Sequence, residues 1–396
     1  MTKRTKILIS LILVSLILRI FLSFQVYSGD LNNHMAWASQ ILNRGAQNAY
    51  YQEYPGVMMP TYPPVSLLNF ISSEWLYRQT ISSANYLNKS FSLFPSKIIW
   101  AMEDSDFRPA FYKILNIVCD IGIGLLIFKI TRSNLMSGLF LLNPAVWYLS
   151  TLWGQIDYVP IFFILLAYTY TSHLSFVLAL LTKQTTIVFT PIFLLLSFKK
   201  IGFKKTLLGL LLQVSIFIIL YSIFTANPVT TYLDRLNTGS GSIWINDNAF
   251  NPWVFVSQMR KIPDTQYRLV SIIIFAFIVI TILNKYIKNI NLKNAYWSSF
   301  LISAAAFFIM TRMHERYFAP ALPFLLLLSY KNKKILSVYI LASIIHLLNL
   351  YHWWWYPNLP QLFLMMSKTS SLYFLSSIFT LLFIYMTYVY IKKPVI

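Results

Sequence analysis

Apolar runs of roughly twenty residues recur from one end of this chain to the other, and as a helix each could cross a bilayer core of ~30 Å. They fall near 7–27, 110–131, 134–152, 157–172, 206–225, 268–284, 294–311, 317–330, 335–351 and 371–391. Of the 396 residues, 57% are hydrophobic and only 11% charged, whereas a soluble domain carries about a quarter charged residues. The pattern predicts an all-α fold, a polytopic transmembrane helix bundle of about 11–12 membrane segments in a single domain, 1–396. Cys119 is the only cysteine and lies within a span, which excludes intrachain disulfides and multi-cysteine metal sites.

The net charge of +20 would suit a nucleic-acid partner, but no such motif accompanies it and its placement argues for a membrane. Lys and Arg gather between the apolar runs, at 2–6, 199–205, 285–293, 331–334 and 392–393. Such clusters mark cytoplasmic loops. Both termini are then expected in the cytoplasm of a cell whose plasma (inner) membrane holds the protein. The apolar stretch from Ile7 to Val26 exceeds the h-region of a cleaved signal, so it reads as a retained first span. The segment 174–198 is too short for two crossings, yet both its ends must be cytoplasmic. Its middle, Thr182 to Thr186, is polar, which predicts two short helices meeting at a break that lines a cavity.

The loops on the other side are long. The first, 28–109, carries "NHMAWASQILNRG", with Trp37, Ile41 and Leu42 on one helical face and Gly45 as its stop. Pro63 and Pro64 fix a turn before a second interfacial helix bearing Trp75 and Tyr77. The second, 226–266, contains Gly239 and Gly241, which predict mobility. A third holds "YHWWWYPNLPQ", whose tryptophans suit membrane anchors, with sugar platforms as the other reading. Long structured loops are commonly functional.

Ionised groups are costly inside a bilayer, by ~2.5–3.5 kcal/mol at its centre, so each one invites a functional reading. Lys113, Asn116 and Asp120 share one face of the second span, either as a helix–helix contact or as the wall of a polar cavity. Trp153, Gln155 and Asp157 surround the turn at Gly154; Asp157 suits a helix N-cap, which leaves Trp153 and Gln155 without a role. Lys183 and Gln184 lie at the polar break, and Arg312, His314, Glu315, Arg316 and Tyr317 lie between two spans. Arginines on the non-cytoplasmic side predict an anionic partner, phosphate or carboxylate. Asp30, just past the first span, is either a cap or a reacting group. Acids and bases in a cavity under a long loop suit an enzyme acting on a lipid-borne phosphate; a transporter or lipid-linked sugar flippase also needs a polar cavity.

The pieces "GDLNNHMAWA", "YPPV", "KILNIVCD", "NPAVWYLSTLWGQID", "TKQT" and "MHERYFAPALPF" together resemble, over residues 7–330, the GT-C superfamily of polytopic glycosyltransferases. The nearest branch is the prokaryotic relatives of the GPI mannosyltransferases. The resemblance implies an inverting hexosyltransferase that takes a sugar, as a mannosyltransferase would, from a polyprenyl- or dolichyl-phosphate carrier. Its acceptor would be a lipid-linked glycan, glycolipid or polysaccharide of the cell envelope on the extracytoplasmic face. It implies that Asp30 is catalytic, as general base. It places Trp153, Gln155, Asp157 and His314 to Tyr317 at the active site without individual roles. Arg316, His314 and Lys183 would stabilise the leaving phosphate, while Asp157, Asp120 and Gln155 would hold hydroxyls. Some members carry an acidic pair in the first loop. Here Leu31 and Asn32 follow Asp30, so the metal ligands are left unassigned and a divalent cation (Mg or Mn) stays open as a cofactor.

Overall fold

In the computed structural model, described for residues 2–104, 106–238 and 241–392, the first apolar run is a single helix, α1 (Lys3–Ser23). Gly239, Ser240 and Lys393 lie outside the described residues. At 1.5 Å per residue α1 is about 31 Å long, enough to cross a bilayer. Its side chains Leu13, Val14, Ile17 and Phe21 are exposed, as are Leu269, Ile273 and Phe277 on α14 (Arg268–Lys288). Apolar surface on this scale is stable only where the solvent is lipid.

Six helices are long and apolar enough to cross a membrane, or seven if the bent pair at 134–153 is one span, among the described residues. This all-α bundle has fewer helices of spanning length than the sequence has apolar runs, because several of the runs are broken into shorter helices. α9 (Tyr158–Tyr170) has 13 residues, α10 (His173–Leu180) has 8 and α16 (Ala321–Ser329) has 9. A crossing needs about twenty. Of these, α16 lies wholly inside the bundle, every residue buried, so protein rather than lipid surrounds its ends.

The chain breaks where its sequence is polar. After α10 it turns at Thr182 and Lys183 into a 3₁₀ segment, Gln184–Phe189, and only then enters α11 (Thr190–Ser222). Gly202 divides α11 at φ +78°, a conformation that a side chain would resist. A second break follows α7 (Asn134–Leu141) and α8 (Pro144–Trp147), where a π-helical turn, Tyr148–Trp153, ends at Gly154. Gly154 has φ +91°, and a Cβ there would lie 3.2 Å from Leu31 and 3.4 Å from Lys113.

The loop after α1 is folded. α2 (Gly29–Arg44) buries Leu31, His34, Met35, Trp37, Ala38 and Ile41, one helical face. Gly45 ends it at φ +91°. α3 (Pro64–Ser90) starts at its proline, packs on α2, and its buried Glu74 accepts from Arg78, Arg108 and Tyr112. Leu31, Trp37 and Phe70 share a core with Ile156, Val177 and Tyr221, which fixes this loop to the bundle. The second long loop folds onto the first: α12 (Pro228–Thr238) reaches it through Arg235 Nη2, which donates to the Tyr50 carbonyl at 2.8 Å. Beyond it, β1 (Asn246–Asp247) pairs in parallel with β2 (Met313–His314), which sets Asp247 opposite His314.

Lys129, Lys293 and Lys331 line one hollow, and Lys129 bonds Tyr170 at the far end of α9. Asp157 and the breaks lie at the near end of α9. The basic loops and the polar breaks thus occupy opposite ends of the bundle.

Asp120, in α6 (Ile114–Thr131), meets Arg19 of α1 at 3.0 Å and accepts the Ser150 hydroxyl at 2.6 Å, all three fully buried. Lys113 is not its partner; that ammonium donates to the carbonyls of Ser23 and Val26. Removing one member of such a pair strands the other charge, at a cost of about 3–5 kcal/mol. Asp120→Ala should therefore lower the melting temperature and yield sharply, whereas Arg19→Met with Asp120→Leu should recover most of the loss. Equal stability of the two variants in detergent would contradict this structural role.

Candidate active site

A cavity of about 550 Å³ opens between the two long loops and the polar breaks. Asp30, Asp157, Lys183, Gln184, His314, Arg316 and Tyr317 all line it. Segments far apart in sequence supply these groups, each ending a helix where backbone and side chains leave the apolar packing.

Asp30 sits in the first turn of α2, but Ser28 holds the N-cap position, so the carboxylate is not the cap. Its Oδ2 accepts from Gln155 Nε2 at 2.5 Å and lies 3.8 Å from Arg316 Nη1. The carboxylate is 40% exposed, open to the cavity. Burial, the largest influence, pushes its pKa up, but the Arg316 guanidinium together with smaller contributions from its other neighbours holds the acid below the usual carboxylate range. The helix N-terminus favours the same ionised form. Gln155 is buried and fixed from its other end, since its Oε1 accepts the Tyr62 hydroxyl at 3.3 Å.

Asp157 occupies the N-cap position of α9 without making a capping bond, contrary to the capping expectation. It pairs instead with Lys183 at 2.6 Å, and its Oδ2 is buried without a partner. The Lys183 ammonium also lies 4.9 Å from the Tyr317 ring, while the Arg316 guanidinium lies 5.5 Å from the same ring. Gln184 donates to the carbonyls of Thr61 and Arg235, joining the break to both loops. Arg312 is a structural residue: it grips Asp264 with two bonds, at 2.8 and 3.0 Å.

Glu315 stands behind the cavity wall, fully buried, and accepts from Arg316 Nη1 at 2.8 Å. Burial pushes its pKa up to about 7, against the opposing pull of Arg316. One guanidinium nitrogen thus serves two carboxylates. His314 lies 3.6 Å from Asp247, which Lys261 also holds at 2.6 Å.

Two expected site residues lie elsewhere. Asp120 is in the ion pair with Arg19 and does not line the cavity. Trp153 is buried and stacks on Trp354 at 5.4 Å. Its indole N–H favours the ionised form of Asp30 yet completes no hydrogen bond. None of the three consecutive tryptophans lines the cavity. Among the described residues no group of three or more His, Cys, Asp or Glu could hold a metal ion. His34, Trp37 and Tyr62 do line the cavity and were not singled out as site residues in the sequence. His34 carried a signal, because it lies four residues after Asp30 on the same helical face.

Fold and site together define an α-helical membrane protein with an ionisable cavity at the end opposite its basic loops. No family model matches the sequence, and no curated protein matches it.

Glu315 generates a pH dependence with a definite sign. Folded, it keeps its proton to about 7; unfolded, it loses it near ~4.3. Between these values the folded state binds more protons, so stability falls as pH rises through this window. Thermal unfolding of wild type against Glu315→Gln, from pH 4 to 8, should show an extra decline of roughly 1–3 kcal/mol in wild type alone. Parallel profiles would contradict it.

Proposed function

We propose that this protein is a polytopic glycosyltransferase of the GT-C type, moving a hexosyl group from a polyprenyl-phosphate carrier to a glycan or glycolipid hydroxyl. The observation that carries this reading is one cavity with three chemically distinct parts. Asp30 presents an ionised, half-exposed carboxylate. Lys183 and Arg316 flank Tyr317 as two cations. Ile187 and Phe189 of the 3₁₀ segment and Ile272 and Phe275 of α14 make an apolar wall. Ile187 and Ile272 are exposed, and on α14 the neighbouring Ile273 and Phe277 are exposed too.

Each part matches one requirement of the reaction. An acceptor hydroxyl attacks C1 of the donor sugar and gives its proton to Asp30, while the C1–O bond breaks and its electron pair leaves with the phosphate. The base must come within ~3 Å of that hydroxyl. The leaving phosphate needs no proton, only positive charge where its own grows, which is the work of Arg316 and Lys183. The apolar wall takes the prenyl chain. The inverting, mannosyl-type chemistry rests on the GT-C resemblance alone.

In this reading the basic end of the bundle faces the cytoplasm and the cavity opens outward. Cysteines at Lys200 and Lys333 should be shielded from impermeant thiol reagents in intact cells, and one at exposed Glu53 should be labelled. The reverse pattern would overturn the orientation.

With a labelled polyprenyl-phosphate hexose and purified protein in nanodiscs, Asp30→Asn should keep its fold and its donor binding while transfer falls by ~10²–10⁴-fold. Arg316→Ala should raise KM and lower kcat, by about ten- to a hundredfold together, because the phosphate gains charge toward the transition state. Movement of the intact lipid-linked sugar across the bilayer without transfer would instead assign the cavity to a flippase.

A further inference from the structure

One wall of the cavity has no part in the chemistry above. His34, Trp37 and Tyr62 face it from the first long loop, and Asn33 lines it beside them. The His34 ring stacks on Phe70 at 4.1 Å and 10°, and meets Tyr62 edge-on at 5.3 Å and Trp37 at 5.4 Å. The polar atoms of its neighbours are already engaged. Trp37 Nε1 donates to the Met58 carbonyl, and the Tyr62 hydroxyl donates to Gln155. His34 differs: among the described residues no hydrogen bond reaches its ring, and Nδ1 is buried without a partner in a residue only 2% exposed. A buried polar atom left unmatched in a packed wall calls for a ligand to match it.

Burial pushes the His34 pKa down to about 3, so the ring is neutral at any working pH. A neutral imidazole offers one N–H donor and one acceptor nitrogen. It would repel neither partner and would not hold an anion. A single donor–acceptor pair set among aromatic side chains suits the hydroxyls of a pyranose ring. Position decides which sugar. The cations that suit phosphate flank Tyr317, and His34 stands one helical turn from Asp30, the group that takes the acceptor's proton, on the same face of α2. A sugar seated on His34 therefore has Asp30, the base of the proposed reaction, one helical turn away.

We propose that His34 and Asn33, framed by Trp37 and Tyr62, form the subsite for a neutral hexopyranose acceptor and orient its hydroxyl toward Asp30. His34 is a substrate-binding residue here and takes no proton. The proposal rests on reading the cavity as a glycosyl-transfer site, and its test separates the two.

The experiment uses full-length protein in nanodiscs and compares wild type with His34→Phe, which keeps the ring stack on Phe70 and removes both nitrogens. Binding of methyl α-mannopyranoside and methyl α-glucopyranoside is followed by saturation-transfer NMR, and transfer is measured with a polyprenyl-phosphate hexose donor. The expected result is about tenfold weaker binding of a methyl hexoside and about tenfold higher acceptor KM in His34→Phe, with donor KM unchanged and partial rescue in His34→Gln. If His34→Phe does not fold, Asn33→Ala reads the same wall. Transfer with an acceptor KM that neither variant moves would overturn the subsite and leave the transferase standing. Hexoside binding that depends on His34 in a protein that transfers no sugar would keep the subsite and overturn the transferase. Failure of wild type to bind either glycoside would overturn the subsite.

Discussion

A guanidinium kept away from water must find acceptors and a counter-charge, and one nitrogen of Arg316 faces two acids. Nη1 lies 2.8 Å from Glu315 and 3.8 Å from Asp30. Glu315 is sealed in the protein, and Asp30 opens to the cavity. The asymmetry sets their charges apart: burial raises the acid behind the wall, while the guanidinium keeps the acid in front ionised. Two carboxylates in unlike surroundings are thereby given unlike states, the arrangement by which a site prepares one group for proton transfer. The rest of the bundle exists around this contact. Breaks at Gly154 and Lys183 bring Gln155 and the second cation to it, and the docked first loop delivers Asp30.

These breaks explain why the helices are short around the cavity. Irregular backbone at membrane depth is tolerated only where it faces protein or a wet cavity. α9 and α10 each have one end at the cavity, Asp157 preceding the start of one and Lys183 following the end of the other. Stability is supplied elsewhere, by α6, α15 (Leu292–Ile309), α16 and α17 (Lys333–Trp354) and the aromatic packing between them. The Arg19–Asp120 pair belongs to that framework.

Much of this was legible because polar residues in apolar runs are rare. The break at 182–186, the Gly45 stop and the Pro64 start all follow from local chemistry, and the cavity residues from Asp30 to Tyr317 stood out as charges in the wrong place. What failed was partnership. Spacing showed that Lys113, Asn116 and Asp120 share a face but not what the face meets, and the partner proved to be Arg19, 101 residues away. Arg19 was itself an ionisable group within the first span, a signal that could have found the pair. Fewer helices reach spanning length than there are apolar runs for a related reason: hydropathy measures apolar length, and the breaks divide that length. Asp247 was hidden because only the parallel pairing of β1 with β2 brings it to His314, and nothing local encodes that register.

The central claim is that one cavity holds a lipid-linked phosphate between Lys183 and Arg316, with the sugar beside Asp30. A cryo-electron microscopy map of the Asp30→Asn protein in nanodiscs, loaded with a short-chain polyprenyl-phosphate hexose, tests it most directly. The account predicts phosphate density within hydrogen-bonding distance of both cations, the prenyl chain along Ile187 and Ile272, and C1 facing residue 30. Phosphate density at the basic end of the bundle, beside Lys129 and Lys331, would contradict it.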